Sequence, residues 1–234
     1  MSATLLLLLK GPMQSWGHTS RYRDRSTASH PTKSGVIGLL AAAEGRRRSD
    51  PVEDLARLRF AVRVDQPGAL LHDYQTAQRW QTGGSTSLVS RYYLSDAVFL
   101  AAVESPDREL LDGIAEALRT PRFPLFLGRR SCPANPDLLQ GVQEADAVDA
   151  LRSARWFASD AHRRTRPKQV TLPIHRDALP RETGDPRQDV PISFDQAHRR
   201  YGWRDVVQDA EGAPIENPLG TRKADPFFEE VISA

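Results

Sequence analysis

Residues 4–9, Thr4 followed by five leucines, form a short apolar run that ends at Lys10 and Gly11-Pro12. A run of that length suits a buried strand and is too short to span a membrane. A polar, basic stretch follows, and Pro31-Thr32-Lys33-Ser34 then opens a helical pattern with Thr32 or Ser34 as its N-cap. Val36, Leu39, Leu40 and Ala43 fall on one face of that helix, and Gly45 supplies its stop. Leu58, Phe60, Val62 and Val64 alternate with Arg59, Ala61 and Arg63, which predicts a strand with one buried face and one partly basic face. Residues 97–103 are apolar almost throughout and suit a central strand. A second helix follows, with Ser105 as N-cap, Pro106 at the first helical position, and Asp107 and Glu109 in the first turn. Leu110, Leu111, Ile114 and Leu118 make its core stripe, and Pro121 ends it.

The order β-α-β-β-α is five-sixths of a ferredoxin-like (RRM-like) βαββαβ unit, an α+β fold. The fourth strand is the weak member, with residues 138–142 a poor candidate. About thirty residues, 65–96, separate the second and third strands, far more than an ordinary connection. Aromatics and threonines flank Gly83-Gly84 there, so the segment reads as a protruding hairpin or, failing that, a disordered insert. The back of the chain is richer in Pro, Arg and Asp. Residues 170–174 and 190–194 are short, proline-interrupted strands suited to sheet edges, and residues 181–189 read as a loop. The expected organisation is one domain over residues 1–133, with its insertion at about 66–96, and a small, mostly β extension over 134–234. Residues 216–234 read as a tail that orders on a partner.

At 234 residues the chain can bury a sizeable core, and its net charge of +2 excludes polyanion binding by bulk charge. The cations are mostly arginine, however, and cluster at Arg46-Arg47-Arg48, Arg129-Arg130, Arg163-Arg164 with Arg166 and Lys168, and Arg199-Arg200. Arginine's planar fork suits phosphate and stacks on bases, although a solvated face is the ordinary role of such clusters. Arg46 to Arg48 suit a helix C-terminus, where cations complement the dipole. The single Cys132 excludes an internal disulfide and a cysteine-rich metal site, and the histidines lack metal-ligand spacing, so no metal or cofactor is expected. Neither a signal peptide nor a transmembrane run is evident, in keeping with the cytoplasm. Lys33-Ser34 lacks the preceding glycines of a phosphate-binding loop, and no G-x-S-x-G elbow exists.

Arg21, Arg23, Arg25, His18 and His30, with Trp16 at the edge, lie between the first strand and the first helix. Cations, hydroxyls and a flat ring beside a helix N-terminus are what a phosphate backbone with splayed bases requires. Trp16 either stacks on a base or packs onto the sheet. Metal-independent RNA cleavage would need a base, an acid and a cation, for which His18, His30 or His72 with Tyr74 and Lys33 are the candidates.

Five segments recur in a familiar order. They are Gly11-Pro12-Met13-Gln14-Ser15-Trp16-Gly17, the stretch from Pro31 to Leu40, and His72-Asp73-Tyr74-Gln75-Thr76. Arg91-Tyr92-Tyr93-Leu94-Ser95-Asp96-Ala97 and Leu127-Gly128-Arg129-Arg130-Ser131-Cys132-Pro133 complete the set. Through them the chain, up to about residue 135, resembles the Cas-five family of CRISPR-associated proteins. That family lies within the RAMP superfamily, and the likeness is to the branch that serves the type I-E Cascade complex. The resemblance implies that the insertion is a thumb-like hairpin and that Gly128-Arg129-Arg130-Ser131 is an RNA-facing loop, with one glycine where many relatives have a run. Arg91 matches the arginine of the thumb segment. The RNA-contacting candidates are Gln14, Trp16, Arg23, Lys33, Ser34, Arg91, Arg129, Arg130 and Ser131.

The implied role is a non-catalytic RNA-binding subunit that grips the 5′ handle of the crRNA for antiviral defence. It would join the backbone subunit to the large PAM-reading subunit, and would reach target DNA only through the complex. The alternative is a metal-independent endoribonuclease that processes CRISPR repeat RNA, as some relatives do. A general RRM-like single-strand binder is disfavoured, because the RRM aromatic motif is missing from the predicted strands.

Overall fold

The computed structural model describes residues 2–17, 24–78, 81, 83 and 86–221. The front half runs β1 (Ala3–Lys10), β2 (Met13–Gln14), β3 (Asp24–Arg25), α1 (Lys33–Glu44), α2 (Glu53–Ala56) and β4 (Arg59–Gln66). It continues through β5 (Ala69–Ala77), β6 (Ser87–Ser95), β7 (Val98–Ser105) and α3 (Arg108–Arg119). The back half contains β8 (Leu139–Gln143), α4 (Ala147–Ser153), α5 (Asp160–Arg164), β9 (Gln169–Leu172), β10 (Ile174–Asp177), β11 (Asp185–Ser193), β12 (Arg200–Gln208) and β13 (Ala213–Glu216).

Seven strands form the main sheet in the order β11-β12-β10-β4-β7-β1-β8, and every neighbouring pair is antiparallel. The fold is mixed α and β, dominated by antiparallel sheet. β4 and β1 flank β7, joined by a crossover containing α1, while α3 lies between β7 and β8 in the chain. The sheet is covered on both faces. Leu5, Leu7, Leu9, Phe60, Val62, Phe99, Ala101 and Val103 pack with the inner stripes of α1 and α3. Leu6, Ala61, Leu100 and Ala102 pack instead with Ala147, Ala150 and Leu151 of α4 and with Trp156. Double coverage is why β1 reads as a continuous leucine run rather than an alternation.

Helix boundaries follow local chemistry. Thr32, not Ser34, caps α1, accepting from the Gly35 amide at 3.3 Å, and Gly45 closes the helix in the left-handed conformation at φ 80°. In α3 the expected cap is displaced by two residues. Asp107 accepts from the Leu110 amide at 3.1 Å, while Ser105 ends β7 and its hydroxyl takes the Asp107 amide at 3.0 Å. The carboxylate also favours the dipole's positive end, which a serine hydroxyl cannot match.

The partly basic face expected of β4 is corrected at Arg63, while Arg59 at the strand's start stays exposed. Arg63 is fully buried, because α4 and the segment after it cover that side. Its guanidinium holds Asp65 at 2.7 and 3.0 Å and donates to the carbonyls of Leu151, Ala154 and Arg155. Burial raises the Asp65 pKa, even though Arg63 and the Phe157 amide stabilise its charge. This pair pins the back half of the chain to the central sheet.

The sheet continues across residue 133 without a break, since β8 pairs with β1 and β10 with β4. Residues 170–174 divide at Pro173 into β9 and β10, and the Pro173 carbonyl accepts from the Val64 amide at 2.9 Å. The expected loop at 181–189 becomes strand from Asp185 onward, at the sheet edge, where Pro186 and Pro191 are tolerated. β12 carries only one buried residue of a hydrophobic type, Val206, and so gives no strong alternation in the sequence. At the start of the expected tail, Glu216 pairs with Gln169, and buried Asn217 is anchored by its amide to Lys168 O at 2.7 Å. Residues 222–234 lie outside the described residues. No helix among the described residues is long and apolar enough to cross a membrane.

Candidate nucleic-acid interface

The insertion between β4 and β7 is a two-stranded antiparallel hairpin, paired in register from Ala69↔Ser95 to Ala77↔Ser87. Its outer strand β5 is almost wholly exposed, with Leu70 and Tyr74 bare at 66% and 61%. Its inner strand β6 is held at the root from two sides. β2 pairs with it at Met13↔Ser95 and Gln14↔Leu94, and β3 runs parallel to it at Asp24↔Ser90 and Arg25↔Arg91. The Ser15 hydroxyl also donates to the Tyr92 carbonyl at 3.0 Å.

The loop after α3 docks on the same root. Phe126 bridges Pro133, the Leu127 amide donates to Cys132 O at 2.7 Å, and the Cys132 amide donates to Arg129 O at 2.9 Å. A tight turn over residues 128–131 results. Gly128 adopts φ +87°, and a Cβ there would lie 1.8 Å from the Ser15 carbonyl oxygen, so only glycine lets this turn meet the β2 segment. Burial pushes the pKa of the Cys132 thiol upward, which disfavours the thiolate.

Three candidate residues converge on one phenol. Tyr93 is 3% exposed; the Arg129 guanidinium lies 4.9 Å above its ring, and the Ser131 hydroxyl is 3.5 Å from its oxygen. Arg91, two residues earlier on the same face of β6, reaches the same phenol, while its buried Nε has no hydrogen-bond partner among the described residues. Burial would raise the Tyr93 pKa, but Ser131, Arg129 and Arg91 donate toward the phenolate and hold it below the ordinary value. Arg130 stands exposed in the turn. Tyr93 lies inside the Arg91-Tyr92-Tyr93 motif, yet the sequence alone did not mark it as the organiser.

Four other candidates face inward, so direct side-chain contact with a ligand is revised for them. Gln14 is fully buried; its Nε2 donates to Leu9 O at 3.0 Å and Ala97 O at 2.8 Å, and its Oε1 accepts from Trp16 Nε1 at 3.0 Å. Trp16 is packing, not platform: it is 1% exposed and lies so close over α1 that a Cβ at Gly35 would meet its ring at 2.8 Å. Lys33 pairs with Asp177 at 3.1 Å, and buried Ser34 sits 3.5 Å from the Thr32 hydroxyl. The α1 N-terminus already holds an anion of its own. The Asp189 carboxylate accepts from the Lys33 amide at 2.8 Å and takes two bonds from Arg204, at 2.6 and 2.8 Å. Arg204 in turn bridges to Asp177 at 2.6 Å. No local signal announces this network, in which the Lys33 amide and its acceptor Asp189 lie 156 positions apart. Arg23 lies outside the described residues, as do His18 and Arg21.

The acid–base set required for RNA cleavage does not assemble among the described residues. His72 and Tyr74 neighbour each other on β5, with His72 stacked on Tyr92 at 4.6 Å. His30 instead stacks on His175 at 4.4 Å, and Lys33 is taken by Asp177. Nor do the described residues contain a group of three or more His, Cys, Asp or Glu able to hold a metal ion.

A family model described as CRISPR-associated protein (Cas_Cas5) matches residues 4–207. The chain is 34% identical to the CRISPR system Cascade subunit CasD of Escherichia coli (strain K12), over 69% of this chain and 81% of that relative. Among solved structures, a chain of a CRISPR RNA-guided surveillance complex is 32% identical, with 98% of each chain covered and a TM-score of 0.73. A second, described as the crystal structure of a Cas protein, is 36% identical over 93% of this chain and 97% of that one, with a TM-score of 0.66. The turn at Gly128, the root of the hairpin and the strand that precedes α1 all fall within the matched span, and the chain belongs to the Cas-five family of CRISPR-associated proteins.

Proposed function

We propose that this chain is a non-catalytic RNA-binding subunit of a Cascade-type surveillance complex in the cytoplasm, gripping the 5′ handle of the crRNA. The carrying observation is the meeting of Arg91, Arg129 and Ser131 at Tyr93, with Arg130 exposed in the same turn, where the hairpin root, β2 and the 128–131 turn join. Planar guanidinium groups fixed on a strand and a tight turn suit phosphates and unstacked bases. Gln14, Trp16, Lys33 and Ser34 act as the frame that holds this surface. The β8-β1-β7-β4 order with its two helical crossovers supports a ferredoxin-like βαββαβ reading, and the β5–β6 hairpin serves as the thumb. Leu70, Leu71, Tyr74 and Leu88, exposed along the hairpin, supply apolar surface for the backbone and large subunits. Sequence recognition of target DNA would then come from guide pairing.

An endoribonuclease reading rests on the lowered Tyr93 pKa beside two arginines. The burial of that ring and the scatter of the histidines favour holding over cutting. Both readings meet in one experiment with repeat-derived RNA and no added metal. The expected result is tight binding with the RNA intact, and Arg91→Ala binding roughly tenfold more weakly with its fold unchanged, as loss of a stacked or bridging contact implies. Arg91→Lys should restore binding only in part, because it returns charge without the plane. Single-turnover cleavage abolished by Tyr93→Phe would establish the enzyme instead.

A further inference from the structure

A cleft of about 210 Å³ opens beside the α1 N-terminus, lined by His30, Thr32, Arg187, Gln188, Trp203 and Arg204 among others. Its volume is below that of pockets for drug-sized ligands and suits a single flat ring system. Its mouth carries Trp203, which is 66% exposed on β12. His30, on the inner side, is 4% exposed. The His30 Nδ1 lies 3.2 Å from Pro31 O, and a carbonyl can only accept, so Nδ1 carries the proton and Nε2 is a bare acceptor. Nε2 is buried and has no hydrogen-bond partner among the described residues. Burial, with His175 and nearby arginines, holds the His30 pKa down at about 4, so the ring is neutral at pH 7.

The charges of the cleft are unequal in availability. Arg204 is bound by Asp177 and Asp189 and lies 5.3 Å over the Phe60 ring. Arg187 makes no ion pair among the described residues, although its charge is felt by both His30 and His175. A neutral acceptor inside, an exposed indole at the mouth and an unneutralised guanidinium together fit a planar heterocycle with an N–H donor and an attached phosphate. The segment lining the cleft continues from the candidate interface, since the Ala28 amide donates to Trp16 O at 2.7 Å just before His30.

We propose that this cleft takes one unstacked, amino-bearing nucleobase of the bound RNA, with Trp203 as stacking face, His30 Nε2 as edge reader and Arg187 on the adjoining phosphate. The inference rests on the RNA-binding reading and adds a base-selective subsite to it.

Repeat-derived 5′ RNA strands carrying 2-aminopurine at successive positions test it against the full-length chain. One position should be quenched on binding, and Trp203→Ala should remove that quenching and weaken binding roughly tenfold. Trp203→Phe should retain part of both, and Arg187→Ala should weaken binding without abolishing the quenching. A Trp203→Ala variant with unaltered affinity and quenching, in a protein whose binding still falls on Arg91→Ala, overturns the cleft while RNA binding stands. Wild-type protein that binds none of the strands overturns both. Unchanged RNA binding but failed assembly with partner subunits would assign the cleft to a protein side chain and overturn the proposal.

Discussion

At Gly128 a single missing side chain sets the geometry of the whole candidate surface. The left-handed backbone and the 1.8 Å approach to Ser15 O leave no room for a methyl group. Gly128→Ala should cost about 1–3 kcal/mol from the backbone conformation alone, with more from the displaced β2 segment. Urea unfolding would read the first effect, and loss of RNA affinity in the folded fraction the second. His30 makes a different prediction. Its pKa falls from 6.5 unfolded to about 4 folded, so between those values the unfolded chain binds more protons. Its contribution to stability is therefore complete above pH 6.5 and is lost as pH falls toward 4, on the order of 3 kcal/mol at most. Unfolding free energies across that window should show a shallower pH slope in His30→Gln than in wild type. Equal slopes would exclude His30 as the source.

The elements owe their positions to contacts far apart in the chain. Thr32 and Gly45 mark α1 from within its own sequence, but its N-terminus is completed by Asp189 on β11. Burial disfavours the Asp189 charge, and Arg204 with the Lys33 amide outweighs it, so the carboxyl titrates below the ordinary range. Removing one member of a buried pair leaves the other uncompensated, at about 3–5 kcal/mol. Asp189→Ala should destabilise by that order and speed hydrogen exchange in the first turn of α1 and in β11 together. Slow exchange retained in β11 would show that its edge is held by β12 pairing alone. At this scale β1, β4, β7, α1 and α3 were readable, because period and punctuation are local. β12 was not, since its half-exposed face carries no regular apolar repeat.

For the whole molecule, a net charge of +2 hides an uneven distribution. Many arginines are bound by acids: Arg46 by Glu44 and Asp54, Arg152 by Asp209, Arg176 by Glu182 and Arg204 by two aspartates. Arg129 covers Tyr93, and Arg130 lies exposed in the same turn. If each meets one phosphate, single-strand counterion release gives roughly −0.7 in log–log salt slope per contact. Replacing both by alanine should flatten the slope by about one unit or more. An unchanged slope would return both to an ordinary solvated surface.

The sequence by itself determined the local units: the leucine strand, the bodies of α1 and α3 with the glycine stop of α1, the glycine turn with its paired arginines, and the register of motifs that marks the family. These rest on period, capping and backbone freedom, which neighbours in the chain decide. Tertiary structure alone decided which polar groups meet water. Gln14, Lys33 and Arg63 look like surface or ligand residues in sequence, and each is buried only because remote carbonyls or carboxylates satisfy it. Arg91 and Arg129 carry the same chemistry, but they lie where a hairpin root and a tight turn converge on Tyr93. Burial depends on what covers a face, and at Arg63 the cover comes from residues some ninety positions away.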